Sequence, residues 1–252
     1  MNPVIRLIIR DLRATVDKAL LTVQLAFPLL LLFVSGFAYS KLIQPFEVQG
    51  RLIPYPAFLA AGAIILSIMF GSILAGSLVW VDRRLNMFQQ ILVGPFTRGQ
   101  YILSKVISST LVGLGGAVII SIVALPILRG VHITLTSPFI IIGTVCLSAF
   151  LMGSMAIVIS TFVTSEQVFN ALVNLIVFIL MFASSIYYPA EDAPNILRFI
   201  FLINPLTYSV DLLRFGLFGM WTSYLPYEAL LLATEGGIIF FIAVMRFRNI
   251  SI

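Results

Sequence analysis

Charge is scarce in this sequence. Asp, Glu, Lys and Arg make up only 10% of its 252 residues and 60% are hydrophobic, whereas a typical soluble domain is about a quarter charged. So few charges cannot cover a water-facing surface, which excludes a soluble enzyme and a disordered chain. A single cysteine, Cys146, excludes an intrachain disulfide scaffold. A single histidine, His132, leaves no cluster of His, Cys and carboxylates at metal-ligand spacing. No Gly-x-x-x-x-Gly-Lys-Ser/Thr phosphate loop occurs. The chain is therefore expected to be no enzyme and to hold no cofactor of its own.

What the sequence has is length without charge. Five charge-free runs, 19–40, 52–81, 106–128, 130–165 and 167–190, each exceed the roughly 20 residues that a helix needs to cross hydrocarbon. None alternates like a membrane strand, so the expected class is an all-α integral membrane protein. A sixth apolar stretch near the C-terminus contains Glu228 and Glu235 and stops at Arg246 and Arg248, which suit the headgroup layer. The spans are set at about 19–40, 55–81, 106–128, 138–163, 167–189 and 224–245 of a single transmembrane domain, 1–252. The segment 194–219 would place Arg198, Asp211 and Arg214 in or near hydrocarbon, at roughly 2.5 to 3.5 kcal/mol each at mid-membrane. Asn204-Pro205 also interrupts it. A re-entrant helix pair dipping into the outer leaflet, between spans five and six, is the cheaper arrangement.

With six spans and a cytoplasmic start, ten Lys or Arg fall inside and five outside, as the positive-inside rule requires. Both termini are thus expected in the cytoplasm, at the plasma membrane. The net charge of +5 needs no nucleic acid to explain it. A cleavable signal is not expected, because the first apolar run is 22 residues long and follows a charged stretch.

Residues 3–18 set Arg6, Arg10, Arg13 and Asp17 on one helical face and Val4, Ile5, Ile8, Ile9, Leu12 and Val16 opposite, the pattern of an interfacial helix. An anchor for the first span is the simpler reading, a docking surface the other. The longest cytoplasmic segment, 82–105, has a short amphipathic stripe of Leu85, Phe88, Ile91 and Leu92 before the turn at Gly94-Pro95. A plain re-entry helix would need no exposed Met87 or Phe88; a partner's groove would use both. In the loop 161–167, Ser165 is a candidate helix cap and Glu166 suits the first turn of span five.

Three features together resemble one family: Gly94-Pro95-Phe96-Thr97-Arg98 after the interfacial helix, Ser184-Ser185-Ile186-Tyr187-Tyr188-Pro189 closing span five, and the run Asn204-Pro205-Leu206-Thr207-Tyr208-Ser209-Val210-Asp211-Leu212-Leu213-Arg214. Their order is similar to that in the type-2 ABC exporter permeases. The resemblance implies a permease dimer above two separate ABC ATPase subunits, which would carry ATP and Mg. It implies ATPase coupling through Asp82, Arg83, Arg84, Met87, Phe88, Pro95, Arg98 and Glu166, and a re-entrant motif of Asn204, Pro205, Tyr208, Asp211 and Arg214. Many relatives have an acidic residue followed by Gly-Thr at the start of the coupling helix; this chain has Arg84-Leu85-Asn86-Met87.

Intramembrane polar groups are costly and invite a functional reading. Glu235 beside Gly236-Gly237 is one; a structural hydrogen bond is the default, a substrate or proton role the alternative. Asn170, Asn174, Phe178, Met181 and Ser185 form one stripe on span five, and Ser67, Gly71, Leu74 and Leu78 another on span two, with Ser72/Gly76 as a close-packing pair. Packing within one subunit would explain both. In the resembled family these spans flank the dimer seam, which makes the stripes candidates for a translocation path. Such a lining suits a drug or lipid better than an ion. A lipid-linked or polymeric saccharide exporter is the second possibility, and a non-transporting membrane scaffold, surrounded by lipid like the others, is the third.

Overall fold

An apolar run in lipid must satisfy its backbone internally, and the long runs of this chain all do so as helices. The computed structural model describes residues 3–248 apart from 16, 49, 95, 191 and 192. Helix α1 spans Pro3–Thr15. Its inward line is Leu7, Asp11 and Thr15, all below 5% exposure, so a carboxylate sits on the face that packs and Ile5 faces outward. α2 covers Lys18–Leu30 with Pro28 inside it. Without an amide hydrogen Pro28 interrupts the hydrogen-bond ladder, and the helix continues through a π turn at Leu31–Ser35 into α3, Gly36–Tyr39.

An antiparallel hairpin follows, β1 Phe46–Val48 and β2 Arg51–Ile53, in the register Phe46↔Ile53 and Val48↔Arg51. This short hairpin is an addition to an otherwise helical chain. Its strands are short, Gly50 at φ 74° allows the turn, and the Phe46 ring packs tilted against Phe58, centroids 4.4 Å apart.

α4, Tyr55–Gly76, is the centre of the molecule and is buried almost throughout. α5, Leu78–Arg84, continues it, and α6, Met87–Val93, starts after Asn86 turns left-handed at φ 54°. We call α5 and α6 the elbow. α7, Arg98–Ala124, begins well before the expected residue 106, because Thr97 and Gln100 form a capping box: Gln100 N donates to Thr97 Oγ1 and Thr97 N to Gln100 Oε1. α8, Ser137–Phe162, packs with α7 around α4. Close approach decides this contact, since lipid gives helices no hydrophobic reason to associate. A Cβ on Gly113 would collide with Ser72 Oγ, and one on Gly153 with Ser109 Oγ.

α9 spans Glu166–Phe182 and stops short of the expected 189. Asn204 takes carbonyls at its end, donating to Leu180 O at 2.9 Å and Ala183 O at 2.5 Å, and the chain turns inward there. α10, Asn195–Phe201, and α11, Pro205–Phe218, meet at 86°. Asn204 caps α11 by accepting from Leu206 N at 2.9 Å. α12, Leu225–Arg248, closes the chain. Among the described residues, four helical stretches are long and apolar enough to cross a membrane, or five with the bent α10–α11 pair counted as one. Gln24–Tyr39 and Glu166–Phe182 are shorter apolar helices.

Candidate functional site

The elbow, α1 and the start of α7 meet at one end of the bundle around a buried ionic network. Lys105, at 0% side-chain exposure, donates to Asp11 Oδ1 at 3.0 Å and lies 2.7 Å from Asp82 Oδ2. Tyr101, one turn earlier on α7, donates its hydroxyl to Asp82 at 2.8 Å. Arg10 bridges the same two carboxylates at 2.7 Å each. Ser108 adds a longer contact to Asp11 at 3.4 Å. The charges balance, two carboxylates against two cations, which is how a nearly dry site tolerates them. Burial works against the Arg10 charge, but Asp11 and Asp82 outweigh it and hold its guanidinium above the ordinary arginine value.

The elbow is tied to the loop between α8 and α9 by a second set of contacts. Arg83 donates to the Ser160 carbonyl and Arg84 pairs with Glu166. The Arg84 guanidinium lies 5.4 Å from the Trp80 ring, and Trp80 stacks on Phe169 at 5.4 Å. These contacts join α5 to the start of α9.

At the opposite end, Arg214 is 2% exposed and is held from three sides. It donates to the carbonyls of Ser185 and Ile186 at 2.7 and 2.8 Å, pairs with Asp211 at 3.2 Å, and stands 3.4 Å above the Phe58 ring. Ser185 Oγ donates to Asp211 at 2.8 Å. Asn204 and Pro205 make the bend, and Tyr208 donates to Leu202 O at 2.5 Å. Arg214 thus ties α11 to α4 and to the chain just after α9, Asn204 ties it to the end of α9, and Tyr208 ties it to the end of α10.

The other expected residues are placed as follows. Asp82 faces inward at 5% exposure, so its three partners belong to this chain. Arg83, Arg84 and Glu166 come together at the elbow. Met87 is exposed on α6, and Arg98 begins α7. Pro95 and the Phe88 side chain lie outside the described residues. Ser67 and Gly71 are enclosed against α7 and Gln24 rather than facing an open route; a Cβ on Gly71 would meet Gln24 and the Val112 carbonyl. Leu74 is partly buried. The α9 stripe divides: Asn170, Asn174 and Phe178 are exposed, whereas Met181 and Ser185 are buried. Glu235 is half-buried against Tyr208. Glu228, at the start of the sixth apolar stretch, is 3% exposed.

The sequence reading missed Asp11 and Lys105 as site residues. A signal existed for each: Asp11 continues the line Leu7–Asp11–Thr15, and Tyr101, Lys105 and Ser108 share one face of α7. Among the described residues no group of three or more His, Cys, Asp or Glu is placed to hold a metal ion.

The family model described as ABC-2 type transporter matches residues 4–218, from α1 to the end of α11. The inner membrane transport permease YhhJ of Escherichia coli (strain K12) is 30% identical over 187 residues, covering 72% of this chain and 48% of that protein. The permease of the same name from Shigella flexneri matches with the same identity and coverage. The chain spans about half the length of these curated relatives. It belongs to the ABC-2 type transporter family, as a permease-type, multi-pass membrane subunit.

Proposed function

We propose that the protein is the membrane half of an ATP-driven exporter that moves a hydrophobic or amphiphilic cargo, a drug or a lipid, outward across the plasma membrane. In this reading the α2–α3 run, α4, α7, α8, α9 and α12 are six spans, the α10–α11 pair is re-entrant, and both termini are cytoplasmic. Two copies form the permease, and separate ABC ATPases bind ATP and Mg beneath them. The exposed Asn170, Asn174 and Phe178 of α9, with Glu235, belong to the seam along which cargo passes.

One contrast within the elbow carries the proposal. Its base is fixed by the buried network, while its tip leaves Leu85 57%, Met87 36% and Val93 89% exposed. Apolar side chains on a short helix outside the bundle form a surface that a partner would cover. Pressure on that surface would pass through Asp82 to α1 and α7, and through Arg84 and Trp80 to α9. It can shift the molecule between inward-open and outward-open states only through contacts that differ between them.

The test replaces Leu85 and Met87 together by Asp. Membrane insertion should be unchanged, while retention of an ABC ATPase encoded beside this chain falls by about tenfold or more, the effect of losing at least 1.4 kcal/mol of contact. ATP-dependent export of a lipid probe from vesicles should fall with it. Full retention and full export in this variant would overturn the reading.

A further inference from the structure

The end of the bundle opposite α1 contains a cavity of 370 Å³, between the loop before α8 and the C-terminus of α11. His132, Thr134, Thr136, Ser137, Phe215 and Trp221 provide most of its wall. That size is within the range of small-ligand sites, ~300–1,000 Å³. The wall is built rather than loose. His132 N donates to Leu217 O at 2.7 Å, which ties the loop to α11. Gly219, at φ 72°, ends α11 and lets the chain turn back so that Trp221 meets Phe215 edge to face at 5.4 Å.

The chemistry of this wall is selective. Among the described residues no Asp, Glu, Lys or Arg lines it, so these offer no counter-charge to a phosphate or to an ammonium group. It offers hydroxyls instead: Thr134 Oγ1 lies 3.1 Å from Thr136 Oγ1 and 3.0 Å from Ser137 Oγ. Ser137 Oγ also accepts from Thr134 N at 3.0 Å, so the three hydroxyls form one hydrogen-bonded cluster whose remaining lone pairs, with the imidazole, are what a ligand would meet. The same wall carries the rings of Phe215 and Trp221, the latter 62% exposed. Hydroxyls and aromatic rings together in one uncharged wall match an uncharged ring that has apolar faces and a hydroxylated rim. The same loop exposes Ile133 at 57% and Leu135 at 92%, and α8 exposes Phe139 at 79%, side chains suited to the membrane surface.

We infer that this cavity binds an uncharged polyhydroxylated ring, a neutral sugar, presented free in water or as the headgroup of a membrane glycolipid. The assignment follows from the wall alone and does not depend on the direction or cargo of transport.

The protein has two tryptophans, so Trp80→Phe leaves Trp221 as the only one. That variant, in phosphatidylcholine nanodiscs free of glycolipid, is titrated with maltose, with dodecyl maltoside and with dodecylphosphocholine while Trp emission is followed. Maltose and dodecyl maltoside should each produce a saturable shift, maltose with a Kd on the order of millimolar. Tighter binding of dodecyl maltoside assigns the site to a glycolipid headgroup, and equal affinity assigns it to free sugar. Replacing Thr134 and Thr136 together by Val should weaken binding about tenfold, and His132→Leu, made separately, should also weaken it. The proposal falls if neither maltoside gives a saturable shift, if dodecylphosphocholine binds as well as dodecyl maltoside, or if binding is unmoved by both sets of substitutions.

Discussion

Lys105 shows how a charge survives inside this protein. It is fully enclosed, with Asp11 and Asp82 as partners and Arg10 closing the opposite side. Lys105→Met should therefore lower stability by about 3–5 kcal/mol, because it leaves buried carboxylates short of a cation. Adding Asp11→Asn should restore part of that loss. Thermal unfolding in detergent measures both, and a melting temperature unchanged by Lys105→Met would contradict the network. The sequence alone could not pair these residues. Asp11 and Lys105 lie 94 positions apart, and Arg10 and Asp82 are separated by 72. A lysine beside a span also satisfies the positive-inside pattern, which by itself accounts for its charge. Arg214 was easier to place, since Asp211 is three residues away on the same helix.

At the scale of helices, close approach rather than hydrophobicity fixes who packs with whom. The small residues of α4 were legible as a packing stripe; their partners on α7 and α8, Gly113 and Gly153, were not, because a glycine in an apolar run carries no sign of what it touches. Gly113→Ala should destabilise by about 1–3 kcal/mol, as the new methyl has no room beside Ser72 and the Ile68 carbonyl. Gly115, two residues on, faces open space, and Gly115→Ala should be neutral or stabilising by up to ~1 kcal/mol. Equal melting temperatures for the two variants would show that the α4–α7 contact is not tight. The bend of the α10–α11 pair was legible from Asn204-Pro205, a local signal. The early end of α9 was not, since Asn204 takes carbonyls at its end and Arg214 takes those of Ser185 and Ile186 just beyond, both from later in the chain.

For the molecule as a whole, burial is graded outward from α4. The apolar window of the α4–α5 stretch is 89% buried, that of α12 only 22%. The outer helices thus turn apolar residues away from the protein, as a lipid-facing belt requires. Cys146 lies exposed on α8 within that belt, lining an apolar groove with Val118, Ile122 and Ile142. In intact membranes its thiol, kept from water by hydrocarbon, should resist a sulfonated maleimide from both sides and label only after the protein is unfolded in detergent. Rapid labelling by the sulfonated reagent would put the middle of α8 in water and overturn its assignment as a span.

Composition and the spacing of charges determined by themselves that this chain resides in a membrane, that it crosses as helices, and that it bends at Asn204-Pro205, because each depends on residues near one another in the chain. Only the tertiary structure decided that Asp82 faces Lys105, that Gly71 meets Gln24, and that a hydroxyl-lined cavity forms beside Trp221. Those relations join residues far apart in sequence, and their energy exists only once the backbone path has brought the helices together.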